Sequence, residues 1–247
     1  MHTFFRLPAK FLLGALALVA FSEISCAQEP PAAASPVVVE LFQSQGCSSC
    51  PPAEANLNAI AGQPNILALS FAVTYWDNLG WKDTFASEAF TNRQYDYSHY
   101  QKQDGVYTPQ VIVNGHTAIV GSDRAQLDQV VAQAHTHGPS LSWANGQLQV
   151  GAGKTAAPTD VWLVRYDPRT IDVAIRAGEN GGRTLPHRDV VRELVNLGTW
   201  DGHARTCAIP APTISGLSTA ALVQIQHGGE ILSASKTSDV ARDTASR

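Results

Sequence analysis

Two cysteines, Cys47 and Cys50, are the residues of this sequence whose types and spacing best suit chemistry. They lie in the segment FQSQGCSSCPPAEANL, residues 42–57. A cysteine pair at this spacing can exchange disulfides, clamp a metal ion or form an inert structural disulfide. The choice among these three uses depends on the elements that position the pair.

The sequence around the pair predicts a strand before it and a helix after it. Residues 37–41, VVVEL, form a β-branched apolar run that is typical of a buried strand. Pro51 and Pro52 follow Cys50, and proline is tolerated in the first turn of a helix. Cys47 is therefore expected at the N-terminal mouth of a helix, and Cys50 in or beside its first turn.

This position favours thiol–disulfide exchange. The N-terminus of a helix carries partial positive charge, which lowers the pKa of a nearby thiol and makes a thiolate available at Cys47. The spacing lets Cys50 attack a mixed disulfide formed on Cys47. Ser48 and Ser49 can donate hydrogen bonds to a thiolate, whereas Glu54 acts in the opposite direction because a nearby anion raises a thiol pKa.

The start of the chain predicts export. Arg6 and Lys10 precede an apolar run, residues 11–21, which is too short to span a bilayer. Small residues then offer a signal-peptide cleavage site near Ala27, and residues 28–36 are expected to form a flexible leader. The mature protein is thus predicted to be periplasmic or secreted.

Composition excludes several classes of function. The net charge is −4 and no basic run occurs, so nucleic acid is not an expected partner. No later stretch is apolar enough for a membrane span. Cleavage would leave Cys47, Cys50 and Cys207, which are too few for a disulfide scaffold in an oxidising compartment.

The pair by itself does not complete a zinc site, because zinc takes four ligands and nothing nearby in the sequence supplies the rest. No resident metal or other cofactor is therefore expected. Two thiolates do suit Cu(I), which is a soft ion. A Cu(I) carrier using Cys47 and Cys50 stays open as an alternative function.

The chain predicts an α/β fold with two parts. Over residues 37–137 the patterns alternate as strand, helix, strand, helix, strand, strand and helix, which suits a mixed sheet flanked by helices. In residues 138–236, apolar and polar residues alternate with period two between glycine-rich turns, which predicts an antiparallel, sandwich-like β-rich domain. Residues 237–247 read as a polar tail.

Two further segments are candidates for the site. Thr108-Pro109 opens a strand just before an Asn114-Gly115 hairpin turn, and X-Pro is the bond that most readily becomes cis. The segment YWDNLGWKD, residues 75–83, follows the second strand, so Trp76 and Trp81 could wall a substrate groove beside the cysteines. Tryptophans in such connectors more often simply cover the sheet, and that alternative is favoured on the residues alone.

The combination of C-x-x-C with a downstream Thr-Pro resembles the thioredoxin superfamily over residues 37–137. The resemblance implies a thioredoxin-like βαβαββα domain, with Cys47 as attacking thiol, Cys50 as resolving thiol and a cis-proline at Pro109. Four motifs also resemble an exported bacterial family, domain-of-unknown-function family 1223, which brings no settled activity. They are VVELFQSQGCSSCPPAEANL, YWDNLGWKD, GVYTPQVIVNG and GENGGRTLPHRDVVREL.

The leading hypothesis is an exported thiol–disulfide oxidoreductase whose partners are protein thiols or disulfides. Cys47, Cys50 and Pro109 are the expected catalytic residues, and Thr108, Trp76 and Trp81 are expected to bind substrate. The alternatives are the Cu(I) carrier and a non-catalytic adaptor in which the disulfide is structural.

Overall fold

Within residues 1–3 and 35–237, which the computed structural model describes, the chain forms three helices and thirteen strands. The predicted signal peptide beyond residue 3, residues 28–34 of the predicted leader and residues 238–247 of the predicted tail lie outside the described residues. No helix in the described part is long and apolar enough to cross a membrane.

The first part of the described chain contains all three helices. Its elements are β1 (Val37–Gln43), α1 (Pro51–Ile60), β2 (Ile66–Ala72), α2 (Glu88–Tyr100), β3 (Gln110–Val113), β4 (Thr117–Ile119) and α3 (Arg124–Gln133). Two helices begin at side-chain caps, because Ser87 accepts a hydrogen bond from Ala89 N and Asp123 accepts from Ala125 N.

The second part of the described chain consists of strands. They are β5 (Leu141–Ala144), β6 (Gln147–Val150), β7 (Thr159–Asp167), β8 (Ile171–Ala174), β9 (Thr184–His187), β10 (Val190–Trp200), β11 (Arg205–Ala208), β12 (Ser218–Ile225) and β13 (Ile231–Lys236). The protein is therefore a mixed α/β protein with a β-rich region.

One eight-stranded mixed sheet joins strands from both parts, in the order β13-β12-β7-β10-β2-β1-β3-β4. The parallel pairs are β1 with β2 and β10 with β2. Strands β11, β6 and β5 form a three-stranded sheet, and β8 and β9 form a two-stranded one. Four strands of the predicted second domain thus extend the sheet of the first, while the domain boundary near residue 137 stays a prediction.

Alternating side chains of β1 build two cores on opposite faces of the large sheet. Val39 and Leu41 pack with α1 and α3 in a cluster that includes Leu57 and Leu127. Val38 and Phe42 point to the other face, where a second cluster gathers residues of α2, β7, β12 and β13. A third cluster joins the three-stranded sheet to the large one.

The topology brings polar loops together at the end of β1. The disulfide-bearing segment follows β1 directly, and β3 begins beside that same end because Phe42 pairs with Gln110. The connection after β2 also starts there, since β2 runs parallel to β1. These three loops position the candidate site.

Candidate functional site

Cys47 and Cys50 form a disulfide at the junction of β1 and α1. Cys50 is the N-cap residue of α1, and its backbone N–H donates to Cys47 O at 3.2 Å. Ser49 Oγ lies 3.4 Å from Cys47 Sγ. The two cysteines are 0% and 1% exposed, although Ser48 and Ser49 between them are exposed. The pair therefore occupies the predicted position but is closed off from solvent.

The connection after β2 anchors the segment Ser44–Cys50, which we call the disulfide loop. Gln45 N donates to Asp83 Oδ2 at 2.7 Å, and the indole N–H of Trp81 donates to Gln45 Oε1 at 2.9 Å. Asp83 also accepts from Phe85 N at 2.8 Å. Burial raises the pKa of Asp83, against these backbone hydrogen bonds, which lower it. Trp81 thus holds the disulfide loop in place.

Trp76 and Thr108 meet close to the disulfide loop. The indole N–H of Trp76 donates to Thr108 Oγ1 at 2.8 Å, and the Thr108–Pro109 peptide bond is cis. A Cβ added at Gly46 would lie 3.6 Å from Trp76 Cβ, so this ring packs beside the disulfide loop. All six residues expected at the site, including the cysteines and Trp81, therefore belong to this one end of the sheet.

The turn between β8 and β9, which we call the hairpin tip (Ile175–Arg183), lies against the disulfide loop. The side-chain amide of Asn180 donates two hydrogen bonds, to Gln45 O and to Cys47 O, both at 2.9 Å. Asn180 is 0% exposed. A residue from the β-rich part thus binds the backbone of the disulfide-bonded segment itself.

Two more polar contacts hold the hairpin tip. Arg183 Nη1 donates to Asn180 Oδ1 at 2.7 Å, which orients the amide toward the disulfide loop. Ser48 donates from its backbone N–H at 3.1 Å and from its hydroxyl at 2.7 Å to Glu179 Oε2. These bonds from Ser48 hold the pKa of Glu179 below its ordinary value.

A buried ion pair joins the base of the hairpin to α1. His187 Nδ1 lies 2.6 Å from Glu54 Oε1, and the His187 side chain is 0% exposed. Burial alone would lower the pKa of His187, but the hydrogen bond and charge of Glu54, followed by the charge of Asp83, raise it above 6.5. Glu54 is four residues after Cys50, which places both side chains on one face of α1.

Sequence reasoning did not assign Glu179 and Asn180 to the site. The motif GENGGRTLPHRDVVREL, which includes both residues, carried only part of the family resemblance. Its histidine, His187, pairs with Glu54 of α1. Nothing in the spacing of residues could place Asn180 against Cys47, which is 133 positions away.

Across residues 35–237, no group of three or more His, Cys, Asp or Glu side chains is arranged to hold a metal ion. The third cysteine of residues 35–237, Cys207, is free and buried in the cluster between the three-stranded sheet and the large sheet. The disulfide is therefore the chemically distinctive group of this end of the sheet.

Comparison with known proteins identifies relatives without assigning an activity. Residues 38–226 match the model of a family described as "Protein of unknown function (DUF1223)". The crystal structure of protein AGR_C_4864 from Agrobacterium tumefaciens is 32% identical, with a TM-score of 0.68, and the match covers 85% of this chain and 95% of that one. HBP35 of Porphyromonas gingivalis is 12% identical, with a TM-score of 0.54 and coverage of 83% and 75%, which is a likeness of fold alone. No curated protein matches the chain.

Proposed function

The chain belongs to the DUF1223 family, whose description names no activity, and we propose that it is an exported thiol–disulfide oxidoreductase. The observation that carries the proposal is the Cys47–Cys50 disulfide at the N-terminus of α1. The predicted signal peptide supplies the export. The order of elements from β1 to α3 supports the thioredoxin-like assignment of residues 37–137.

The small span of the disulfide favours chemistry over a structural role. A cross-link stabilises a fold mainly by restricting the unfolded chain, and this effect grows with the length of the closed loop. Cys47 and Cys50 are only three positions apart, so the restriction is small. The disulfide loop is already held by hydrogen bonds from Asn180 and Trp81 and by the bond that Gln45 N donates to Asp83. A cross-link therefore adds little structural support at this place.

In the proposed reaction the reduced protein attacks a partner disulfide. The Cys47 thiolate bonds to one partner sulfur, and the other partner sulfur leaves as a thiolate that takes a proton from solvent. The Cys50 thiolate then bonds to Cys47 Sγ and releases the first partner sulfur. The partner gains two electrons and two protons, and the protein returns to the disulfide form; the reverse sequence oxidises a partner dithiol.

The surroundings of the pair distinguish the two sulfurs. Cys47 follows the buried end of β1, and Ser49 Oγ lies near enough to donate to a thiolate there. Cys50 caps the helix, on the same face as the buried Glu54. Positive charge at the helix N-terminus and a hydrogen bond from the Ser49 hydroxyl would stabilise a Cys47 thiolate. Cys47 is therefore the attacking thiol and Cys50 the resolving one.

A trapping experiment tests the proposal. The full mature chain is incubated with a quenched fluorescent peptide disulfide, and turnover is followed with a reductant supplied. The Cys50→Ser variant should stop after one step and retain the peptide as a mixed disulfide, seen by intact mass. The Cys47→Ser variant should trap far less, and Cys207→Ser should turn over like the wild type because that thiol is buried elsewhere.

The alternatives give different results in the same assay. A Cu(I) carrier would show no turnover but would bind one Cu(I) per reduced Cys47–Cys50 pair. An adaptor with a structural disulfide would show no turnover and no mixed disulfide in any variant. Equal trapping by Cys47→Ser and Cys50→Ser would contradict the assignment of the two roles.

A further inference from the structure

Thiol–disulfide exchange requires the attacking sulfur to touch a sulfur of the disulfide. The sulfur-bearing residues Cys47 and Cys50 are almost completely buried, at 0% and 1% exposed. A partner can therefore react only after some part of the protein moves. The question is which part can move without unfolding the sheet that carries the site.

The hairpin tip is the neighbour that is least tied to the large sheet. Its strands β8 and β9 pair with each other in a two-stranded sheet that is separate from the eight-stranded one. Residues 176–179 and 181–183 of the tip are exposed, and only Ile175 and Asn180 are buried. Displacement of the tip therefore breaks no hydrogen bond between strands of the large sheet.

The hairpin tip is also built to move as a unit. Ile175 N donates to Arg183 O at 2.9 Å, and Gly182 N donates to Ile175 O at 2.8 Å. Arg183 N donates to Asn180 O at 3.1 Å. The Asn180 amide keeps its bond from Arg183 Nη1 within the same tip. The internal bonds persist if the tip swings away, because none of them involves the disulfide loop.

The polar contacts that must break are few. They are the two bonds from Asn180 to Gln45 O and Cys47 O, and the two bonds from Ser48 to Glu179. The tip must also part from the connection after β2, since a Cβ added at Gly178 would lie 3.1 Å from Trp81 Cβ. The buried His187–Glu54 pair lies at the end of β9, beyond the tip, and can stay in place as a fixed base. The hydrogen bonds between the tip and the disulfide loop therefore involve two side chains of the tip, those of Glu179 and Asn180.

We propose that Glu179 and Asn180 are specificity-determining residues that keep the hairpin tip closed over the disulfide. A partner polypeptide that binds the exposed tip and displaces it gains access to Cys47, whereas a small thiol reacts only when the tip opens spontaneously. This inference rests on the proposed exchange function for its biological meaning. The physical gating of the disulfide is independent of that function.

The test measures how fast dithiothreitol reduces the Cys47–Cys50 disulfide in the full mature chain. One dithiothreitol thiolate attacks a sulfur of the pair, its second thiol closes a ring, and both cysteines are left as thiols that alkylation and intact mass count. Asn180→Ala should raise the reduction rate roughly tenfold, because two hydrogen bonds of the closed state are lost. Glu179→Gln should raise the reduction rate by a smaller factor, because the Glu179 side chain is exposed.

Two matched controls lie away from the hairpin tip. Asn56 also donates to two backbone carbonyls, Gly121 O at 2.9 Å and Ser122 O at 3.0 Å, so Asn56→Ala removes an equivalent pair of bonds. Asp128 is an exposed carboxylate paired with Arg124, so Asp128→Asn matches the change at Glu179. Both variants should be reduced at the wild-type rate.

Each outcome decides the proposal. Wild-type rates in both tip variants would overturn it, as would an equal acceleration in Asn56→Ala, which would mean general loosening. If circular dichroism shows that Asn180→Ala is unfolded, Glu179→Gln and Ser48→Ala decide in its place. If the protein does not turn over peptide disulfides but the tip variants are still reduced faster, the proposed exchange function is wrong and the closure by the hairpin tip stands. Failure of the function and failure of this inference are therefore distinguishable.

Discussion

His187 of β9 and Glu54 of α1 form a buried ion pair across 133 positions of sequence, with Nδ1 and Oε1 2.6 Å apart. Nearby, Asn58 Nδ2 donates to Pro186 O at 3.0 Å. The two contacts fasten the base of the β8–β9 hairpin to the helix that begins at the disulfide. The β-rich part is thereby attached to the element that positions Cys50.

Replacing His187 with Gln should destabilise the protein by about 3 kcal/mol, because Glu54 would keep its buried position and lose its cationic partner. Urea unfolding at pH 6 measures the loss. His203→Gln is the control, since His203 pairs with Asp201 in full exposure and its loss should leave the midpoint unchanged. Equal effects of the two substitutions would contradict a buried ion pair.

The contribution of the His187–Glu54 pair should fall as pH rises. The pKa of His187 is raised in the folded protein, so the stabilisation is complete below the unfolded value of 6.5. It is lost as pH rises through the raised folded pKa. The difference in unfolding free energy between wild type and His187→Gln, measured from pH 6 to pH 9, should therefore shrink with pH. A difference that grew with pH would reverse the assigned sign.

The first part of the chain is readable from the sequence because its signals are local. Ser87 caps α2 by accepting from Ala89 N, and the predicted Asn114-Gly115 turn joins β3 and β4 with both residues at positive φ. The second strand ends at Ala72, ahead of residues 75–83, which were expected to follow it. The chain turns there, since Asp77 N donates to Thr74 O at 2.9 Å.

The pairing order of the strands and the contacts of the hairpin tip could not be predicted from the sequence, for a physical reason. Alternation of apolar and polar residues predicts which side chains of a strand are buried, but it does not predict which other strand pairs with it. The pairing of β10 with β2, at Val190 and Ser70, depends on the whole topology. The contact of Asn180 with Cys47 depends in turn on that pairing, so no local pattern could indicate it.

Trp76→Phe should distinguish an effect on disulfide exchange from an effect on the free energy of unfolding. The variant keeps an aromatic ring and loses the indole bond to Thr108 Oγ1. Trp143→Phe is the matched control, because the indole of Trp143, in β5 of the three-stranded sheet, donates to Ser235 Oγ of β13 at 3.0 Å. Both should cost about 1 kcal/mol in urea unfolding. Only Trp76→Phe should slow exchange with a peptide disulfide, and equal rates would remove Trp76 from the site.

Tyr97→Phe should destabilise a buried polar network under the large sheet. The Tyr97 hydroxyl donates to Glu40 Oε2 and accepts from Arg93 Nη2 at 3.0 Å and from Gln224 Nε2 at 2.9 Å. Removing the hydroxyl leaves buried partners unsatisfied, which should cost about 2 kcal/mol in urea unfolding. Tyr75→Phe, which loses a bond from a half-buried hydroxyl to Gln94 Oε1, should cost less.

The two predicted domains should unfold together, in one transition. The core on the α2 face of the large sheet joins Phe42 and Phe71 of the first part to Val164, Leu222 and Ile231 of the second. Separating the parts would expose these side chains to water, at roughly 25 cal/mol for each Å² of apolar surface.

Tryptophan fluorescence and far-ultraviolet circular dichroism should therefore give coincident urea curves. Tyr97→Phe provides the internal check, because Tyr97 of α2 is hydrogen-bonded to Gln224 of β12. The substitution should shift both curves by the same amount. Two separate transitions, with only one moved by Tyr97→Phe, would mean that residues 37–137 and 138–236 fold independently despite sharing a sheet.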